Sequence, residues 1–124
     1  LHDPPIDLTT GYANVIWQGD ANSYCLRSFD LCDVPARALN VTGLKTLSVR
    51  EVAEKFAHRF GKKPKFTGTE SATALLSDAS RCAQLLGPST ITEDQLIEMT
   101  ANWLSAGGVT LGKPTKFERR DGTF

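Results

Sequence analysis

"LNVTGLKTLSVREVAEKFAHRFGKKPKF", residues 39–66, decides the reading of the fold. Its first three residues, with Ala38, form a short apolar alternation, "ALNV", that predicts a strand over 38–41, closed by Thr42 and Gly43. Ser48 and Glu51 then stand three apart, in the pattern of a capping box. The Ser48 hydroxyl can accept from the Glu51 amide, and the Glu51 carboxylate can reach back to the Ser48 amide. Val49, Val52, Ala53, Phe56, Ala57 and Phe60 follow at the spacing of one helical face. Gly61 stops the helix, and "PKFT", 64–67, predicts a further strand. Strand, capped helix and strand in this order point to an α/β protein.

The same pattern continues on both sides. "ANVIWQ", 13–18, is a β-branched and aromatic run that predicts a strand. Asp20 is placed to cap a helix in which Ala21, Cys25, Phe29 and Cys32 share a face, broken at Val34-Pro35. Ser77-Asp78 precedes a short helix with Ala79, Cys82, Ala83 and Leu86 inward. Thr92 and Gln95 form a second capping-box pattern. The last helix presents Leu96, Ile97, Thr100, Trp103 and Leu104 on one side, with Trp103 read as core, and Gly107-Gly108 ends it. Residues 1–12 read as an irregular leader, 13–106 as the α/β unit, and 107–124 as an irregular tail with a turn at Asp121-Gly122. About three short strands and four helices are too few for a full doubly wound sheet. They read as an appendage to something larger.

Composition narrows the function classes. The chain has 124 residues, 40% hydrophobic and 23% charged, which fits one soluble domain. Its 14 basic and 14 acidic residues cancel, so no overall field draws nucleic acid or an anionic membrane. No apolar run reaches the roughly 20 residues of a membrane span. Cys25, Cys32 and Cys82 are odd in number and lack CxxC spacing. They read as small buried apolar residues in a reducing cytoplasm rather than a disulfide or zinc set. His58 lies off the helical stripe and reads as solvated. Lys62, Lys63 and Lys65 read as a solvated turn. The chain starts at Leu1, and its one methionine is Met99, which reads as a piece of a longer protein.

The order of these signals resembles the C-terminal, substrate-side portion of the NAD(P)-dependent epimerase/dehydratases, the extended short-chain dehydrogenases. "NVIWQGDA", 14–21, is similar to the family's strand that ends in an aspartate opening a helix. "LNVTG", 39–43, with "LSVREVAEKF", 47–56, resembles its Asn-x-Gly turn and Ser-capped helix. "LSDASRCAQLLG", 76–87, looks like its Asp-x-Ser-Lys helix, with Arg81 for lysine. "EDQLIEMTANWL", 93–104, is similar to its final helix.

The resemblance implies that hydride chemistry belongs to a Rossmann domain upstream. There a glycine-rich turn carries the dinucleotide pyrophosphate to a helix N-terminus. This chain contains no such turn. The family's catalytic tyrosine lies four residues before a lysine, but Tyr12 is followed at that distance by Ile16 and Tyr24 by Ser28. No catalytic, cofactor or metal residue is therefore expected here, and NAD or NADP would belong to the parent protein. Nucleotide-sugar members use arginines at slots that hold Ala13 and, counting back from Asp78, roughly Gly68 in this chain. Lacking those donors, the chain is expected to favour a neutral polyol or a sugar without a nucleotide. Trp17, Thr67, Thr69 and Glu70 are the candidate substrate-binding residues, the last three within the loop "TGTESA", 67–72. The bland alternative is that this loop is a surface connection. The competing whole-chain reading is a free-standing α/β interaction module without catalysis. Under the enzyme reading, an apolar face around Val15, Trp17 and Phe29 should await the upstream domain, and the isolated chain should self-associate.

Overall fold

The computed structural model describes residues 4–113. In chain order the elements are β1 (Ile6–Asp7), β2 (Tyr12–Ala13), α1 (Gln18–Arg27), β3 (Leu47–Ser48), α2 (Val49–Arg59), β4 (Phe66–Thr67), α3 (Ser80–Leu86) and α4 (Glu93–Ser105). A 3-10 turn, Ser28–Leu31, continues α1. The described residues thus form a small α/β fold with four α-helices and four two-residue strands. β1 and β4 pair in parallel, with Ile6 opposite Phe66 and Asp7 opposite Thr67. β2 and β3 pair antiparallel, with Tyr12 opposite Ser48 and Ala13 opposite Leu47.

The helices are set by their caps and apolar faces. At α2 the Ser48 hydroxyl accepts from the Glu51 amide at 3.3 Å. The return bond from Glu51 is absent among the described residues, so half of the expected box forms. At α4 the box is complete. The Thr92 hydroxyl accepts from the Gln95 amide at 3.3 Å, and Gln95 Oε1 accepts from the Thr92 amide at 2.9 Å. α2 packs against α4, burying Ala57, Ile97 and Ala101. A second cluster joins Tyr24 of α1 to Ala79, Cys82 and Leu86 at α3, with Ile16, Leu39 and Val41 packed against it.

Several expectations are corrected. The stretch 13–18 pairs only at Tyr12–Ala13, and α1 starts at Gln18. Residues 38–41 form no strand. Their apolar alternation is real, because Leu39 and Val41 reach the core. The backbone is instead held by single bonds such as Asn40 Nδ2 donating to the Asp78 carbonyl at 3.0 Å. The leader is not wholly irregular: β1 lies within it, and Leu8 is fully buried.

The face of α1 also differs. Asp20 and Tyr24 are its buried residues, while Cys25, Cys32 and Phe29 are exposed. The 3-10 turn after Arg27 shifts the angular spacing that would align Phe29 and Cys32 with Cys25. Only Cys82 is a buried thiol. Trp103 is 58% exposed. Instead of entering the core it folds over the segment that follows α4, with Nε1 donating to the Val109 carbonyl at 3.3 Å. His58 is exposed, as are Lys62, Lys63 and Lys65. The turn expected at Asp121-Gly122 lies outside the described residues.

Candidate functional site

The parallel pair β1–β4 ends at Asp7 and Thr67, and the loops leaving those two ends lie together. In open α/β sheets, ligands bind outside the carboxyl ends of parallel strands, where the chain turns away and leaves a crevice. Here residues 7–11 from one strand and 67–71 from the other lie against each other at that end. The Leu8 amide donates to the Thr67 carbonyl at 2.9 Å, and the Ser71 amide donates to the Thr9 carbonyl at 3.4 Å. Gly68 has φ +69°, and a side-chain carbon there would sit 2.9 Å from Asp7 Oδ1. Glycine is needed at this turn for both its backbone conformation and the space it leaves.

Two polar pairs stand at this end of the strand pair. Asp7 Oδ1 accepts from the Thr9 hydroxyl at 2.6 Å and the Thr9 amide at 2.8 Å. These bonds hold the Asp7 carboxyl below its ordinary range. Glu70 Oε1 accepts from Arg50 Nε at 2.7 Å. That bond lowers the Glu70 pKa and raises that of Arg50. The Arg50 guanidinium lies 4.8 Å from the centre of the Phe66 ring, so it is held between an aromatic face and a carboxylate. Ser48 and Val49 open α2 immediately before Arg50. The Val49 amide donates to the Gly11 carbonyl at 2.9 Å, which fixes the helix start against the loop after β1.

The structure brings Thr67, Thr69 and Glu70 into one loop. Thr67 and Thr69 are exposed, and Glu70 is half-buried. Trp17 is the residue before α1, and its ring lies over Gly19, where an added carbon would approach it to 2.3 Å. No hydrogen bond joins Trp17 to the loop among the described residues. Sequence reasoning missed Arg50 and Asp7. Arg50 faces outward beside a cap, and only the loop after β4 gives it a partner. Asp7 fell in the stretch read as leader. The Asp-x-Thr spacing of a local turn was the available signal.

Asp20 was expected to cap its own helix. It instead lies in the first turn of α1 and is 5% exposed. Oδ1 accepts from the Thr90 hydroxyl at 2.6 Å, and Oδ2 accepts from the Thr90 and Ile91 amides at 3.0 Å each. Burial by itself would raise its pKa, but the three bonds outweigh burial and leave it lowered. Among the described residues, no three His, Cys, Asp or Glu side chains converge as a metal set. No helix among the described residues is long and apolar enough to cross a membrane.

Two solved structures are similar to this architecture. One is the UDP-glucuronic acid 4-epimerase from Bacillus cereus, in complex with NAD. It matches at a TM-score of 0.63 and 13% identity, over 84% of this chain and 35% of the epimerase. The other is a UDP-galactose 4-epimerase, at a TM-score of 0.58 and 19% identity, over 83% of this chain and 35% of that one. The fold is therefore that of a part of these epimerase chains, and the chain spans about a third of their length. No protein-family model matches the sequence, and the comparison with curated proteins finds no match.

Proposed function

We propose that this chain is the C-terminal substrate-binding part of an NAD(P)-dependent epimerase/dehydratase-like oxidoreductase. One observation carries the reading: more than four fifths of the chain superposes on only 35% of two 4-epimerases. The order of sequence signals over 13–106 supports it independently. The partner is the N-terminal Rossmann domain of the same parent protein, and the dinucleotide belongs there. The first turns of α2 and α4 are closed by Ser48 and Thr92, and the Trp17 ring covers Gly19 in the first turn of α1. These ends do not fit a pyrophosphate, which needs free amides and close backbone approach.

The substrate class we propose is a neutral polyol or sugar. Ala13 and Gly68 stand where the resemblance places arginines. Arg50, beside the loop, is already paired with Glu70. A neutralised guanidinium–carboxylate pair suits hydroxyl groups, because the carboxylate accepts an O–H and the guanidinium donates to the same carbon's neighbour oxygen. A diphosphate would have to compete with Glu70 for that guanidinium. The Thr67 and Thr69 hydroxyls add further contacts.

Two measurements test this. The reading frame upstream of Leu1 is expected to encode a glycine-rich strand–turn–helix and a Tyr-x-x-x-Lys; a start codon close by would favour the interaction module. Backbone amide shifts should move at Thr67–Glu70 when galactose or myo-inositol is titrated in, and stay still with UDP. Tight binding of UDP at this loop would overturn the substrate class.

A further inference from the structure

A second cavity lies at the other end of α1. Eleven residues separate Trp17 from Ser28 along that helix, which at 1.5 Å per residue is about 16 Å. The cavity has a volume of about 300 Å³, and Leu31, Leu39 and Leu85 are its large apolar lining residues. That size is the lower end for small-molecule sites. Its polar rim holds Arg37, Arg81 and Asp33. Asp33 is paired with Arg37 at 2.5 Å. Arg81 has no ion-pair or hydrogen-bond partner among the described residues.

We propose that this cavity binds a small organic monoanion with an apolar body, its carboxylate on Arg81 and its chain on the three leucines. The charge balance sets the class. Two guanidinium groups and one carboxylate leave a single positive charge, which one carboxylate neutralises and a dianionic phosphate exceeds. A guanidinium fork presents two parallel N–H groups to a carboxylate, a stronger and more directional contact than a lone ammonium makes. The apolar lining supplies the transfer free energy that an inorganic anion cannot use. The site is separate from the loop after β4 and does not depend on the function assigned to that loop.

Cys32 reports on occupancy, because it lines the cavity and is exposed. Cys25 is exposed outside it, and Cys82 is buried. The test is the rate of iodoacetamide labelling at each thiol, read by peptide mass spectrometry while hexanoate is titrated in. Hexanoate is expected to slow Cys32 about fivefold once it exceeds its Kd about fourfold, by mass action. Cys25 should be unaffected. 1-Hexanol, with the same chain and no charge, should not protect. Arg81→Gln, at an exposed helix position, should remove the protection. Equal slowing of Cys25 and Cys32, no slowing of either, or protection by hexanol as strong as by hexanoate would each overturn the site. The wild-type comparison of acid and alcohol decides the matter even if the variant does not fold.

Discussion

Asp20 holds together two parts of the chain seventy residues apart. It accepts three hydrogen bonds from Thr90 and Ile91, at the entrance to α4. Replacing it with alanine orphans those donors, each costing roughly 1–3 kcal/mol when water cannot reach it. We expect Asp20→Ala to lower the urea midpoint clearly, and Asp20→Asn to lower it less. The pH dependence has a definite sign. The folded pKa lies below the unfolded value of about 3.9, so the stability from this carboxylate is present above pH ~4 and lost as pH falls through the folded value. The urea midpoint, followed by tryptophan fluorescence, should fall more steeply between about pH 6 and pH 3 in wild type than in Asp20→Asn, which lacks this titration; equal pH dependence of the two would overturn the assignment. Arg50 and Glu70 are a different case. Their pair is substantially exposed, and a double-mutant cycle should return a coupling of only about 0.2–1 kcal/mol. A larger value would mean that the pair is structural, and would weaken its reading as a polar anchor for substrate.

At the scale of elements, caps and close approaches set the boundaries. The complete box at Thr92–Gln95 predicts a loss of about 1 kcal/mol for Thr92→Ala, measurable by chemical denaturation. Gly43 is needed for another reason. Its amide donates to the Val15 carbonyl at 3.1 Å, and a side-chain carbon there would lie 2.2 Å from that oxygen. Because the obstacle is backbone, Gly43→Ala should cost about 1–3 kcal/mol through forced displacement. Asn14 reinforces the same junction by donating to the carbonyls of Gly43 and Ser77 at 3.3 and 2.7 Å. This junction explains why 13–18 and 38–41 look like strands in sequence and are not laddered in space. Their apolar residues reach the core, but single bonds from asparagine and glycine hold their backbones. Among the described residues, sheet formation is confined to two pairings of two-residue strands.

At the scale of the whole molecule, a number of large apolar side chains remain uncovered. Leu26 and Phe29 are 70% and 71% exposed on α1 and the turn after it, and Val34 is 95% exposed. Val15 is also exposed, whereas Trp17 is half-buried. Large apolar side chains left in water tend to find a partner where they cluster. We expect the chain to self-associate at micromolar concentration in sedimentation velocity, and Phe29→Glu to reduce it. A wild-type chain that sediments as a single monomer would count against the interdomain face proposed here.

The sequence by itself determined the helices and their order. Helical spacing and hydroxyl caps are local properties, written in residues three and four apart. That is why α2 and α4 were legible with their caps, and why α3 could be read with Cys82 and Leu86 inward. It also placed a loop at 67–72, and the structure has the chain leaving β4 at Thr67. Only the tertiary structure decided which partners the polar groups take. Asp20 reaches Thr90, Arg50 reaches Glu70, and Asp7 lies close against Gly68 because β1 lies parallel to β4, sixty residues later in the chain. Such pairings depend on how loops converge after the helices have packed, and no spacing within the sequence encodes that distance.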